Sequence, residues 1–372
     1  LSEAVSPIVA PCRLFRRFGA SPCPPSPSSP RPTTPFRGDY CSYGYFLLEP
    51  SRWDVATRSV TRAFALPDTV AVARISQKAA GEPLKVELAS PIAKPAKATL
   101  IEQISRMLRL DEDERLIAEF HRMDPRWKKS GRGRLMRSPT FFEDVIKTVT
   151  SCNVTWPSTV AMNRRLCEAL GDTSTQSSGT GILPVSTPST TDQSTPASHP
   201  AFPTFERIAK TRPATLRARC RVGYRDQRIV ELARMFRSGA IKPAWFEDPT
   251  TPDDDIREAL LELPGIGPYA AANIMQLLGR YSNLPCDTET VRHGKELLGF
   301  KGSTAQVTKR VLAHFKPFGP HAFRSYWFEM WAHYEKVAGP AHTWEPRKTA
   351  NTFTAATLRK AAADAKKALE SD

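Results

Sequence analysis

Apolar positions along the chain change period once, from that of strands to that of helices. Between Tyr43 and Pro91, the runs YGYFLLEP, SVTRAFAL, TVAVARISQ and LKVELASP are short and rich in aromatic and β-branched residues. Polar or turn residues separate them, which predicts an antiparallel sheet with Arg52-Trp53-Asp54 in one of its turns. From Ala98 the period lengthens. Ile101, Ile104, Met107 and Leu108 line one face, and Leu116, Ile117 and Phe120 follow the charged DEDER turn. Ser138 or Thr140 caps the next helix, with Phe142, Val145, Ile146 and Val149 facing inward and Glu143 at the capping-box position. That helix ends in SCNVTW, ahead of another from Pro157 to Leu170. The segments FPTFERIAK, ATLRARCRVGYRDQRIVELARMFRSG, IKPAWFED, VRHGKELLGF, TAQVTKRVLAHFKPFG and HAFRSYWFEMWAHYEKVAG also read as helical. The expected class is α+β, mainly α: a β-rich subdomain over 41–97, then an all-helical domain over 98–345.

Three segments lack the apolar residues a core needs. Residues 1–40 are rich in Pro, Ser and Arg and are expected to be disordered; their scarcity of acids also fits an organellar transit peptide. Residues 172–200 contain no Lys or Arg and few large apolar side chains, so they read as a disordered insertion inside the helical domain. Residues 346–372 form a polar, Ala/Lys-rich tail.

The stretch from Asp255 to His293 organises the rest. Ile256, Leu260, Leu261 and Leu263 hold helical spacing up to Pro264, Gly265, Ile266 and Gly267, and Pro268 suits the first turn of a second helix. That helix runs through Tyr269, Asn273, Ile274 and Leu277 to a stop at Gly279. With no side chain on either hairpin glycine, the N–H groups at the second helix's start can approach a phosphate closely. LPGIGPYAA therefore reads as a grip on a nucleic-acid backbone.

Charge agrees with that reading. The 372 residues carry 53 Lys and Arg against 38 Asp and Glu, a formal charge of +15, which favours polyanionic partners. No apolar run is long enough to cross a bilayer. Seven cysteines are scattered without a CxxC pair, which suggests reduced thiols within a cell. Neither an HxH pair nor a Cys/His set has zinc spacing. The basic loop DPRWKKSGRGRLMRSPT reads residue by residue as solvated surface, and as a cluster as a phosphate contact.

Eighteen residues beyond Tyr269 stands Asp287, in LPCDTET. By the hairpin, the helix after it and this aspartate, the stretch resembles the helix-hairpin-helix DNA glycosylases, the superfamily of endonuclease III, 8-oxoguanine glycosylase and 3-methyladenine glycosylase II. The resemblance runs from about Tyr45 to about Gly339. It implies a base-excision enzyme acting on double-stranded DNA that bears a damaged base. Asp287 would be catalytic, near C1′ of a flipped nucleotide, although DTET before VRHGKELL also reads as a helix N-cap. Leu263, Pro264, Gly265, Ile266, Gly267 and Tyr269 would contact DNA. FFEDVIKTVTSCNVTW is similar to the 8-oxoguanine and alkyladenine branches, where an Asn at the position of Asn153 fills the gap left by the flipped base; the plainer alternative is a helix end. Tyr269, Asn273, Tyr326 and Met330 would line the base pocket. Gly223-Tyr224-Arg225 resembles a turn of the 8-oxoguanine branch, with Tyr224 read as core packing. Bifunctional members carry a lysine where this chain has Tyr269, which implies a monofunctional enzyme leaving an abasic site, alkylated adenine being favoured and 8-oxoguanine the alternative. A non-catalytic DNA clamp is the other class. The last cysteine is Cys286, ahead of the aspartate, so the family's iron–sulfur loop is missing. No cofactor is expected beyond an alkali cation at the hairpin. The resemblance fits a monomer in the nucleus, or in a chloroplast or mitochondrion if the N-terminus is a transit peptide.

Overall fold

A short helix, α1 (Phe36–Tyr40), and a 3-10 turn (Gly44–Leu47) lead into strands β1 (Arg52–Asp54), β2 (Ser59–Ala65), β3 (Val70–Ser76) and β4 (Lys85–Leu88). The strands form a four-stranded antiparallel sheet in sequence order, with Trp53 opposite Val60, Phe64 opposite Ala71 and Ile75 opposite Val86. Helices follow: α2 (Lys94–Leu108), α3 (Glu114–Met123), α4 (Phe141–Ser151), α5 (Trp156–Leu170), α6 (Phe205–Ala209) and α7 (Pro213–Thr215), the last running into a π-helical turn. After them come α8 (Asp226–Ser238), α9 (Pro243–Glu247), α10 (Asp253–Leu261), α11 (Pro268–Leu277), α12 (Thr288–Glu296), α13 (Thr304–Phe315) and α14 (Ala322–Ala338). This computed structural model describes residues 36–173 and 199–345, all within the unit Arg31–Asp372. The expected disorder of the N-terminal tail before Phe36, nearly all of the insertion and the C-terminal tail lie outside the described residues.

Apolar side chains gather into two large cores. One joins the sheet to the C-terminal helices: Val60, Phe64 and Ile75 share it with Met107, Phe323 and Trp331. The other is helical and holds Val145, Ile146, Val149, Ile256, Leu260 and Ile266. Helix α11 belongs to both, giving Ile274 to the second and Leu277 to the first.

Several local expectations need correction. Tyr43–Pro50 is not a strand: Tyr43 through Leu48 are all buried, and a continuous apolar run carries no period to separate a strand from a buried turn. Arg52-Trp53-Asp54 is a strand; the turn follows it, where Asp54 Oδ1 accepts the N–H groups of Ala56 and Thr57 at 2.9 and 3.1 Å. Phe36–Tyr40, placed in the tail, is helical, with Phe36 and Tyr40 buried against Trp53. The first long helix starts at Lys94, with Pro95 in its first turn, ahead of the expected Ala98. The insertion leaves and rejoins at one point, where Ala201 N–H donates to Asp172 O at 2.9 Å.

Glu143 departs from its expected cap role. Thr140 Oγ1 accepts the Glu143 N–H at 3.2 Å, but the carboxylate turns inward to meet Arg62 at 2.5 Å and Lys147 at 2.7 Å. All three side chains are buried, so each charge depends on the others. Glu143→Gln would leave two buried cations facing each other. It is expected to lower unfolding free energy by about 3–5 kcal/mol in urea denaturation. Glu87→Gln, which loses the Lys85 pair and the weaker attraction of Arg74 at the sheet surface, should leave the midpoint almost unmoved.

Candidate active site and nucleic-acid interface

The hairpin joins α10 to α11 through two tight turns: Leu263 N–H to Leu260 O and Ile266 N–H to Leu263 O, both 3.1 Å. Gly265 has φ 79°, a conformation that strains most side chains, and a Cβ there would also fall 2.5 Å from Arg228 Cδ and displace that side chain. At Gly267 a Cβ would meet nothing within 4 Å, so packing inside the protein does not require glycine there. Its lack of a side chain keeps the approach to the start of α11 clear. The first helical bond is Ala271 N–H to Gly267 O at 2.9 Å, which leaves the N–H groups of Gly267, Tyr269 and Ala270 ahead of the ladder. Those groups and the helix dipole favour an anion.

Asp287 is the N-cap of α12. Its Oδ1 accepts from Glu289 N at 2.9 Å, Thr290 N at 3.1 Å and, more weakly, Thr290 Oγ1 at 3.4 Å, while Asp287 N–H donates back to Thr290 Oγ1 at 3.1 Å. Among the described residues no hydrogen bond engages Oδ2. The cap therefore fixes the carboxylate through one oxygen and leaves the other available. Asp287 is solvent-exposed, with Tyr269, Cys286 and Tyr326 within electrostatic reach. Desolvation pushes its pKa up to about 6, the cap N–H groups opposing the rise and Glu289 adding to it.

Tyr269, half-buried in the first turn of α11, lies within electrostatic reach of Asp287 and of Cys152 in the α4–α5 turn. Burial first, then those neighbours, hold its phenol well above the ordinary range. Asn273, one turn on, is buried: Tyr43 Oη donates to its Oδ1 at 2.9 Å, and its Nδ2 donates to Thr148 Oγ1 at 3.0 Å. Tyr43 also packs 4.8 Å from Trp327, which is partly exposed. Tyr326 and Met330 sit beneath the aspartate: Tyr326 Oη is 3.1 Å from Thr290 Oγ1 and donates to Met330 Sδ at 3.7 Å, with both residues buried. They support the cap from behind, and Trp327, between them in sequence, offers the accessible ring.

Asn153 follows the α4 C-cap Cys152 with φ 52° and is exposed. That left-handed conformation ends the helix, as the plainer reading requires, and also leaves the amide pointing away from the core. Arg225, quoted from the sequence only as part of the Gly223-Tyr224-Arg225 turn and given no role there, secures this loop: its guanidinium donates to Val149 O at 3.1 Å and to Cys152 O. Tyr224 is not core packing. It is 53% exposed, lying against the guanidinium groups of Arg225 at 4.5 Å and Arg228 at 5.3 Å. A short turn lifts it clear of the core, because Arg225, not Tyr224, is the residue that points inward.

No lysine lies on α11. Lys147 is near the site, 5.7 Å from the Tyr45 ring, but it is buried and committed to Glu143. The basic loop after α3 is largely neutralised: Arg126 pairs with Asp124 and Glu329, Arg132 with Glu335, Arg134 with Glu114 and Arg137 with Asp111. As a cluster, its arginines are occupied by the protein itself.

No protein-family model matches the chain, and no curated protein matches it in sequence. Solved structures do match in fold. A 3-methyladenine DNA-glycosylase from Archaeoglobus fulgidus aligns with TM-score 0.59 and 18% identity, over 82% of this chain and 96% of that one. An 8-oxoguanine glycosylase/lyase from Clostridium acetobutylicum aligns in its apo form with TM-score 0.53 and 16% identity, over 78% and 93%. The same enzyme bound to duplex DNA with cytosine opposite 8-oxoguanine gives 0.52 and 16%, over 80% and 93%.

The Asp287 geometry has a thermodynamic signature. The folded chain holds this proton more tightly than an ordinary carboxyl of pKa 3.8, so ionisation opposes folding. The penalty is absent below about pH 4, grows towards about pH 6 and is complete above it. Asparagine caps as well as aspartate. Asp287→Asn should therefore melt higher than wild type near pH 7.5, with the difference closing by about pH 4. By its backbone, the chain carries the fold of the helix-hairpin-helix DNA glycosylases.

Proposed function

We propose that the protein is a monofunctional DNA N-glycosylase of base excision repair, excising a damaged purine, alkylated adenine in preference, and leaving an abasic site. The observation that carries this reading is the Asp287 carboxylate, capped through Oδ1 and open at Oδ2, beside Tyr269 at the anion-attracting start of α11. A pure backbone clamp has no use for a carboxylate where phosphates must approach.

Breaking the C1′–N bond requires the nucleotide to leave the stack first. The N–H groups of Gly267, Tyr269 and Ala270 would hold a backbone phosphate, and Asn153 would enter the vacated space. Asp287 would then stabilise positive charge on the sugar and orient water for its capture. The cap prevents the carboxylate from swinging away as charge develops. Tyr269 cannot form the Schiff base that strand cutting needs, and Lys147 is shut in the core, which supports hydrolysis without lyase action. Tyr269 and Trp327, both partly exposed, offer aromatic rings suited to a cationic alkylated base, already a good leaving group, with buried Tyr43 packed against Trp327. A monovalent cation, if one binds the hairpin, would meet backbone carbonyls; Leu263 O accepts one N–H and keeps a lone pair, which fits such an ion, and no step here depends on it.

A second reading, excision of 8-oxoguanine, is favoured by one feature, the Gly223-Tyr224-Arg225 turn clasping the Asn153 loop. Duplexes carrying single lesions separate the two. Incubated with the protein, the reactive duplex should break only after alkali, and Asp287→Asn should slow release about 10²–10³-fold. The single-turnover rate should climb as pH rises through about 6, where Asp287 ionises. Strand breaks without alkali would defeat the monofunctional reading. Tight binding with no release from any lesion would leave a clamp.

A further inference from the structure

The four arginines of the basic loop are spent on internal ion pairs, which leaves only Lys128 and Lys129 there exposed and unpaired among the described residues; a larger reserve of free positive charge lies elsewhere. Residues 205–228 carry eight Lys or Arg and only two carboxylates, Glu206 and Asp226. Asp226 is buried and taken by Arg217 at 2.9 Å. Arg207, Lys210, Arg212, Arg219, Arg221 and Arg228 are all exposed, and none has an ion-pair partner among the described residues.

This charge is continuous with the proposed site. Arg228 lays its aliphatic stem on the hairpin at Gly265 and its guanidinium over Tyr224. Arg225 ties the same turn to the Asn153 loop. Upstream, the π-helical turn Leu216–Cys220 ends in Arg221 at φ 54°, which reverses the chain and presents Arg219 and Arg221 outward. Cys220, between those two, anchors the turn through Sγ to Arg165 O at 3.7 Å.

We infer that Arg219, Arg221 and Arg228 form a second phosphate track, continuing the hairpin's grip along the duplex backbone on the Tyr224 side. The occupant is double-stranded DNA. The track rests on the glycosylase reading for its ligand, but not on which base is excised. It has the composition of a sequence-independent backbone contact: unpaired guanidiniums on a rigid surface, with carboxylates removed. In the loop at 126–137, the more obvious cluster in the sequence, every arginine is paired within the protein, and only Lys128 and Lys129 have no ion-pair partner among the described residues.

The test is the salt dependence of affinity for a duplex holding an abasic site. Each phosphate contact contributes about 0.9 to the slope of log K against log salt, so R219Q/R221Q/R228Q should flatten the wild-type slope by about 2.7. The triple K301Q/K309Q/R310Q removes the same charge from exposed positions at and before α13 and should leave the slope unchanged. Equal flattening by both triples would mean diffuse attraction and would overturn the track. So would an unaltered slope in the first triple while wild type excises a lesion. Absence of both duplex binding and excision in wild type would overturn the glycosylase reading together with the track.

Discussion

Much of this structure depends on how Arg109 and Arg137 hold the far end of α11. Arg109 ends α2 in a left-handed conformation and sends its guanidinium to Gln276 O at 2.9 Å, Leu277 O at 2.7 Å and, through Nε, Leu135 O at 2.8 Å. Arg137 adds a bond to Leu277 O at 3.3 Å. Two buried cations thus occupy the negative end of the helix whose positive end lies open at the hairpin. Gly279, at φ 94°, closes the same end with N–H bonds from Gly279 to Gln276 O and from Arg280 to Met275 O. With one end clamped between two cores, the other is left as the anion-favouring start of the helix.

Asp287 shows how one side chain can cap a helix and still keep an oxygen free. A cap needs one acceptor oxygen; a carboxylate has two. Oδ1 gives α12 its start, while desolvation by the surrounding protein raises the carboxyl's pKa towards 6. Behind it, Thr290 hands the cap on to Tyr326, and Tyr326 to Met330, so the aspartate rests on the aromatic core. The cap reading of DTET does not use up the carboxylate: the turn that starts the helix engages one oxygen, and among the described residues no hydrogen bond engages the other.

Charge is sorted in the same way. Arginines facing the C-terminal helix are spent on Glu329 and Glu335, whereas Arg219, Arg221 and Arg228 have no ion-pair partner among the described residues, and Arg228 lies against the hairpin. A net charge of +15 says that a polyanion is welcome but not where it would lie.

What the sequence alone determined is what short-range chemistry controls. Glycine and proline spacing dictated the hairpin, helical period dictated the helices around it, and strand period dictated β2, β3 and β4. The Asp287 cap was legible because its partners lie three residues away or closer. The tertiary structure decided everything that depends on distant partners. Tyr43 reaches Asn273 across 230 positions, Arg126 reaches Glu329 across 203, and Glu143 abandons a local cap for Arg62, 81 residues away. Tyr224 and Tyr326 look alike in sequence, yet one is exposed and the other buried, because burial depends on which elements arrive from elsewhere in the chain. Local backbone preferences are written in a few adjacent residues, whereas the pairing of buried charge and polar groups exists only once the cores have closed.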